Sequence, residues 1–306
     1  MSVRVRVRPG VPDAALRVLA EAGLGFEIGP LDGAGVDALL CLLTDRIDAG
    51  FLAANPGLRI VANMAVGTDN IDLAAATRLG IAVSNTPDVL TDATADLAFA
   101  LLLAAARRLA WADRYVRAGG FVGWNPELGI GLDVTGRTLG IVGAGRIGRA
   151  VAERARGFRM EVLLHSRSSG PPLAELLERS DFVSLHVPLT QQTRHLIGAA
   201  ELARMKRTAV LVNTARGPIV DEAELVDALR EGRIAAAGLD VFEREPHLTA
   251  GLRDLPNVVL APHLGSATVE TRTLMCTMAA DNALATLRDD RPPCLVDPAA
   301  WERRRR

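Results

Sequence analysis

Residues 138–168 read TLGIVGAGRIGRAVAERARGFRMEVLLHSRS, and the order of patterns in this stretch decides the fold. An apolar run, Leu139 to Val142, stops at Gly143-Ala144-Gly145-Arg146-Ile147-Gly148. An alanine-rich helical stretch follows, and a second apolar run, Met160 to Leu164, closes the unit. The order is strand, glycine turn, helix, strand. Gly143 permits the tight turn, Gly145 lets the backbone approach a pyrophosphate, and Gly148 lets the helix lie close to the strand. The unpaired N–H groups at the helix start, around Arg146 and Ile147, and the positive end of the helix dipole then face the phosphates. With a strand before it and a helix after it, the motif reads as a dinucleotide-binding fingerprint.

The chain has 306 residues, enough for two domains that each bury a core, and the fingerprint leaves a whole domain's length ahead of it. There, Val3 to Val7 alternates apolar residues with arginine like an edge strand, and Pro12 to Ala22 reads as a helix ended by Gly23. Phe26 to Ile28, Ala38 to Leu43, Leu58 to Ala65 and Ile81 to Val83 read as strands, with helices at Ala49 to Asn55 and Leu73 to Leu79. This alternation predicts a parallel sheet covered by helices. The polar loop Val66 to Asp72 lies at a strand's carboxyl end, where open α/β sheets bind ligands, and Asp72 is placed to cap the next helix. After Thr86-Pro87-Asp88 an alanine- and leucine-rich stretch predicts one long hinge helix from Thr91 to about Ala118. The glycine-rich segment Gly119 to Gly131 is a loop, and it carries Phe121 and Trp124 in a chain with only 4% aromatic residues.

Downstream of the fingerprint, apolar Ala209 to Val212 runs into Asn213-Thr214-Ala215-Arg216-Gly217. Carboxylates follow the next strand in Gly238-Leu239-Asp240-Val241-Phe242-Glu243-Arg244-Glu245-Pro246, and Pro262-His263 follows Val258 to Leu260. Three neighbouring strands thus deliver Arg216, Glu245 and His263 to one edge of one sheet. An arginine there offers a planar fork that binds a carboxylate at two points and keeps its charge. Only Arg167 to Pro172 separates the fingerprint's second strand from the next helix, Leu173 to Arg179, so the usual outer helix and edge strand of a dinucleotide fold are missing.

The formal net charge of -1 gives no general attraction to nucleic acid or to an anionic membrane, and the terminal Arg303 to Arg306 run reads as a solvated tail. Cys41, Cys276 and Cys294 show neither metal-ligand nor redox spacing. No apolar stretch reads as a membrane span and no signal peptide precedes the first strand, so a cytoplasmic protein is expected. Lys206 is the only lysine and so the one candidate for Schiff-base chemistry.

The segments ANMAVGTDNID, TPDVLTDATADLAFALLL, GAGRIG, LVNTARGPIVDEAEL, AAAGLDVFEREP and APHLGSA occur in the order and spacing of the D-isomer-specific 2-hydroxyacid dehydrogenases. The chain resembles that family nearly end to end, and most closely its glyoxylate and hydroxypyruvate reductase branch. The resemblance implies an α/β protein of two domains, a Rossmann dinucleotide-binding domain at 98–265 inserted into a flavodoxin-like substrate domain at 1–97 and 266–306. It further implies that Arg216 grips the carboxylate of a 2-oxo acid and polarises its carbonyl, that His263 donates a proton, and that Glu245 orients the imidazole and favours its charged form. A hydride from NADPH or NADH completes the reduction, and no metal is called for. Carried over in the same way, Asp240 meets the nicotinamide carboxamide, Val66 and Gly67 offer backbone N–H groups to the substrate, and Ser266 sits near His263. Leu43 and Met64 are candidates for setting pocket size. His165, His186, His195 and His247 lack such placement and are read as structural.

An acidic residue normally accepts hydrogen bonds from the NAD ribose about 20 residues past the fingerprint. Here Ser166 stands 18 residues after Gly148, beside Arg167 and Ser168, which together favour NADP(H) and leave NAD(H) possible. The apolar helix at Thr91 and the aromatic loop suggest a homodimer, and the resemblance implies that Trp124 reaches toward the neighbour's substrate pocket. A short D-3-phosphoglycerate dehydrogenase ranks second, since no basic cluster near the substrate loop is set to take a phosphate. A dinucleotide-sensing co-repressor, the remaining class, would carry low-complexity flanks that this sequence lacks.

Overall fold

The chain forms two units, Met1–Leu90 with Ser266–Arg306, and Thr91–Gly265. The structure, a computed structural model, describes residues 4–31 and 35–305. Val3, at the head of the expected first strand, and Arg306, at the end of the basic run, lie outside the described residues.

The first unit runs β1 (Val5–Val7), α1 (Asp13–Glu21), β2 (Phe26–Ile28), β3 (Ala38–Cys41), α2 (Ala49–Ala54), β4 (Ile60–Asn63), α3 (Leu73–Leu79) and β5 (Ala82–Ser84). The strands form one parallel sheet in the order β2-β1-β3-β4-β5, the flavodoxin-like order. Every residue of β3, β4 and β5 is buried, as expected of parallel strands covered on both faces. The alternation in β1 suggests an edge, but the structure places β1 between β2 and β3. Its arginine tolerates that position because Arg6 reaches across the short β2 to pair with Glu27 at 3.1 Å. Asp48 and Asp72 cap α2 and α3 by accepting the N–H groups of Phe51 and Ala75 at 3.0 and 2.8 Å.

The second unit begins with α4 (Thr91–Ala106) and α5 (Leu109–Arg117). The single helix expected from Thr91 to Ala118 is therefore two, and the boundary expected at 97/98 falls within α4, which lies whole in this unit. The break has a tertiary cause. The Ala106 carbonyl accepts the N–H of Leu132 at 2.8 Å, and Arg108 turns left-handed at φ 53° to start α5. Nothing local in an alanine-rich stretch announces this.

The sheet of this unit follows as β6 (Thr138–Val142), α6 (Arg146–Gly157), β7 (Glu161–His165), α7 (Leu173–Arg179), β8 (Phe182–Leu185), α8 (Ala199–Arg204), β9 (Val210–Asn213), α9 (Glu222–Arg230), β10 (Ala236–Leu239) and β11 (Val258–Leu260). All neighbours are parallel in the order β11-β10-β9-β8-β6-β7, so among the described residues β7 is an edge with no strand paired outside it. One face packs α7, α8 and α9, and the other packs α4 and α6. Arg154 of α6 ties α4 down through Asp92 at 3.1 Å and Asp96 at 2.6 Å. Lys206 is engaged with Asp181 at 2.8 Å. No helix among the described residues is long and apolar enough to cross a membrane.

The chain then returns to the first unit as α10 (Val269–Leu287), packed on α1, β3 and β4, and α11 (Pro298–Glu302), packed on α3 and β5. Within the terminal basic run, Arg304 and Arg305 are not solvated as expected. Arg304 lies over the Trp301 ring at 4.4 Å, and Arg305 donates to the carbonyls of Asn55, Pro56 and Leu58 at 2.8, 3.0 and 3.3 Å. The Arg305 N–H also meets the Gly80 carbonyl at 3.0 Å. One guanidinium thus serves three loop carbonyls after α2. Arg305→Ala should cost about 1–2 kcal/mol, since hydrogen bonds from a charged donor are lost. The apparent melting midpoint should then fall by roughly 3–8 °C, and an unchanged midpoint by calorimetry would return the arginines to the solvent.

Candidate active site

The glycine turn after β6 is shaped as a phosphate cradle. Gly143 holds φ 115°, and a Cβ there would run into the His186 carbonyl. A Cβ on Gly148 would overlap the Gly143 carbonyl, so only glycine lets α6 start this close to its strand. Gly145, the residue before α6, faces open space, with nothing within 4 Å of a built Cβ. Arg146 and Ile147 open the helix, where the first N–H groups have no carbonyl of their own helix to bond. The turn therefore fits a dinucleotide's pyrophosphate on geometric grounds: an open wall, a helix amino terminus and no side chain in between.

At the end of β7, Ser166 folds into a tight turn with Ser169. Its N–H donates to the Ser169 carbonyl at 2.8 Å and the two hydroxyls meet at 2.7 Å. Gly170 at φ 88° presses this turn onto the Leu164 carbonyl, and His165 Nδ1 contacts the Pro171 carbonyl at 2.8 Å. Arg167 stands exposed on the turn's outer side, next to Ser168.

The catalytic candidates are brought together by register. Asn213, Leu239 and Leu260 share one rung across β9, β10 and β11, so the chain leaves all three strands at the same level. Beyond that rung, Asn213 makes a turn by accepting the Ala215 N–H at 3.0 Å and donating to the Arg216 carbonyl at 2.9 Å. Arg216 is half-buried, and its Nη1 donates to the Ala215 carbonyl at 2.8 Å. The next residue, Gly217, has no room for a Cβ because the Phe242 peptide lies against it. That contact draws the loops after β9 and β10 together. In the second loop, the Phe242 N–H donates to Glu245 Oε1 at 3.0 Å, while Glu245 Oε2 meets His263 Nδ1 at 3.0 Å. Both side chains keep about a quarter to a third of their surface exposed, 25% for His263 and 31% for Glu245.

Burial raises the Glu245 pKa, but hydrogen bonds from His263 and the Phe242 N–H, with the charges of His263 and Arg216, more than offset it. The carboxyl is held below the usual glutamate range. This carboxylate therefore stays ionised to lower pH than a free glutamate, and the pair with His263 is lost only as pH falls through that depressed value.

Asp240 is tied to the backbone of the loop after β11. It is fully buried, and its two carboxylate oxygens accept the N–H groups of Leu264 and Gly265 at 2.6 and 2.8 Å. Its carbonyl accepts the His263 N–H at 2.8 Å, and His263 itself adopts φ 57°. Burial pushes the Asp240 carboxyl up, against the opposing pull of the two N–H groups and the His263 charge. Asp240 thus holds the turn that presents His263. Two of the remaining histidines are also engaged. His186 is driven down to about 4 by burial and bonds Ser184 Oγ at 2.8 Å, and His195 Nε2 meets Glu243 Oε1 at 2.7 Å.

In the first unit, the loop after β4 presents its backbone in a fixed way. The carbonyls of Ala65, Val66 and Gly67 are taken by the Thr86 N–H at 2.8 Å, Asn85 Nδ2 at 2.8 Å and Asn63 Nδ2 at 2.9 Å. In a planar trans peptide the following N–H points the opposite way, so the N–H groups of Val66, Gly67 and Thr68 are turned away from these partners. Asn63 and Asn85 escape sequence reading, although an asparagine closing an apolar strand is a usable signal. Leu43 follows β3 and is half-buried, and the Ser266 carbonyl accepts the Thr268 N–H at 2.9 Å. Trp124 is 85% exposed in the loop after α5. Among the described residues, no group of three or more His, Cys, Asp or Glu is placed to hold a metal.

A doubly wound unit with a phosphate cradle, and an arginine beside a histidine–carboxylate pair at its carboxyl edge, defines a dinucleotide-linked oxidoreductase. Residues 99–265 match the family of D-isomer specific 2-hydroxyacid dehydrogenases, NAD binding domain. A glyoxylate reductase of Korarchaeum cryptofilum is 58% identical over 274 residues, covering 85% of this chain and 82% of that protein. Another, from Pyrococcus horikoshii, is 53% identical over 277 residues, covering 86% and 83%. Among solved structures, the NADPH-dependent glyoxylate/hydroxypyruvate reductase of Sinorhizobium meliloti, in complex with NADP and malonate, superposes with a TM-score of 0.89. It is 34% identical and covers 100% of this chain and 99% of that one. A Thermus thermophilus protein gives a TM-score of 0.91 at 46% identity, covering 96% and 100%. The chain belongs to the D-isomer-specific 2-hydroxyacid dehydrogenase family, and it is an NAD(P)-dependent oxidoreductase that reduces a 2-oxo acid.

Proposed function

We propose that the protein reduces glyoxylate and hydroxypyruvate, to glycolate and D-glycerate, with NADPH preferred and NADH usable. The observation that carries this reading is the 3.0 Å contact between His263 Nδ1 and Glu245, level with Arg216 on the neighbouring strand. Arg216 binds the substrate carboxylate and polarises the keto oxygen. His263, with Nδ1 held by Glu245, turns Nε2 outward as the proton donor to that oxygen. The bound nicotinamide supplies the hydride. Val66 and Gly67 offer N–H groups to the substrate's anionic end, and Leu43 and Ser266 are assigned to its surroundings. The curated relatives named for glyoxylate reduction support the substrate class.

The cofactor preference rests on the end of β7. No aspartate or glutamate occurs from 162 to 172, so nothing there repels a 2′-phosphate. The Ser166–Ser169 turn keeps Arg167 on a short, braced segment, where its guanidinium can pair with that phosphate and Ser168 can donate to it.

The assembly is a homodimer on this reading, formed through α5 and the loop after it. No residue of α5 is buried, and Leu109, Val116, Phe121, Val122, Trp124 and Ile130 are all exposed. An apolar cavity of about 420 Å³, lined by Trp111, Ile130, Leu132 and Val258, opens beside them. A monomer rarely leaves such a patch in water. In the dimer Trp124 extends toward the neighbour's substrate pocket. The three cysteines are free, which suits the cytoplasm.

Four measurements test the proposal. With glyoxylate as substrate, Arg216→Ala should raise KM and lower kcat, and His263→Ala should lower kcat by roughly 10²–10⁴-fold. Glu245→Gln removes the anion that favours the imidazolium, so the alkaline limb of kcat for reduction should move to lower pH; an unmoved limb would remove Glu245 from the proton transfer. Wild type should favour NADPH over NADH by about 10-fold in kcat/KM, the worth of a charge-assisted contact. Ser166→Asp with Arg167→Ala should reverse that order, and a wild type that favours NADH would refute the assignment. Light scattering should report a dimer at micromolar concentration, with Val122→Glu and Trp124→Glu together shifting it toward monomer.

A further inference from the structure

We infer that Glu222 is a positioning residue for the proton-donating pair, holding Glu245 against His263 through the backbone of the loop that carries Glu245. The inference rests on the proposal that Glu245 and His263 act together in proton transfer. Glu222 opens α9, where a sequence would assign it only to the helix dipole, yet it is 2% exposed. A carboxylate is buried at high cost unless hydrogen bonds replace its water. Here they are backbone groups from the next loop. Glu222 Oε1 accepts the Glu243 N–H at 2.8 Å and Oε2 accepts the Thr249 N–H at 3.2 Å.

Those two N–H groups stand on either side of Glu245, so one buried carboxylate closes the loop at both ends. Upstream, Glu245 Oε1 is bonded to the Phe242 N–H at 3.0 Å, one residue from the Glu222 tie. A shift of the backbone at Glu243 therefore moves the carboxylate that meets His263. The tie is reciprocal, because Glu243 Oε2 faces the Glu222 N–H at 3.4 Å. The outer face of the loop is charged as well. Glu243 Oε1 meets His195 at 2.7 Å and Arg194 at 3.3 Å, and Asp221 lies 3.5 Å from the other His195 nitrogen. On the inner face, Arg216 and Asp240 are the charged groups that bear on Glu245 along with His263.

The test is a double-mutant cycle read as a pH profile of glyoxylate reduction. Glu222→Gln keeps the shape but sets an amide N–H against a backbone N–H, which frees one end of the loop. It should lower kcat by about 10-fold, the scale of a small misplacement of a reacting group. It should also move the alkaline limb in the same direction as Glu245→Gln, with NADPH affinity by fluorescence titration unchanged. In a Glu245→Gln background it should add little. Equal losses in both backgrounds, or a lowered kcat with an unmoved limb, would overturn the positioning role while leaving the catalytic pair intact. An unmoved limb in Glu245→Gln alone would overturn the pair, and this inference with it. Glu222→Asp, which retracts the carboxylate but keeps the charge and the helix start, gives the same readout if the glutamine variant folds poorly. Asp227→Asn, on the exposed face of α9, should change nothing.

Discussion

The catalytic edge depends on buried carboxylates that accept backbone N–H groups left over where strands end. A loop leaving a parallel sheet loses its ladder partners, and an N–H buried without a partner costs about as much as a lost hydrogen bond. Supplying a carboxylate solves this locally and freezes the loop, because charged acceptors bond more strongly in a low-dielectric interior. Asp240 shows how the balance falls. The left-handed backbone of His263 costs on the order of 1–3 kcal/mol, while each hydrogen bond to a charged group contributes about 1.5–3 kcal/mol. Two such bonds, to Leu264 and Gly265, offset the strain and leave the turn fixed.

The same device, used on adjacent strands, explains why the pair is precise without being deeply buried. Asn213 sets the turn of Arg216, and Asp240 sets that of His263. The loops after β9 and β10 touch at Gly217, where any side chain would push them apart. The His263 and Glu245 side chains themselves remain partly exposed. Rigidity comes from the backbone beneath them, so the imidazole and carboxylate need few contacts of their own.

Much of this was legible in the sequence where the chemistry of a single residue leaves no alternative. The three glycines of the fingerprint each occupy a place that a Cβ would block or an open wall that it would crowd, and their spacing states this directly. Arg216, Glu245 and His263 follow apolar runs that become adjacent strands, and parallel order brings them to one end. What escaped was decided by distant partners. The helix from Thr91 breaks because Leu132 takes the Ala106 carbonyl, and Arg305 folds in to donate to loop carbonyls after α2. The alternation in β1 looked like an edge because a half-covered interior strand shows the same pattern. The bonds of Asp240 to the Leu264 and Gly265 N–H groups also escaped, since a carboxylate after a strand does not announce which way it turns.

The absent outer helix and strand leave β7 as an open edge, which in a parallel sheet invites pairing with another chain. The chain blunts that edge in two ways. Its start is charged: Glu161 pairs with Arg179 at 2.7 Å and accepts the Thr138 hydroxyl at 3.2 Å. Its end turns back on itself, for Ser166 forms an antiparallel bridge with Ser169, and Gly170 seats the turn on the Leu164 carbonyl. The turn that closes the edge is also the segment that carries Arg167. The same few hydrogen bonds thus close the edge and brace the residues that follow it.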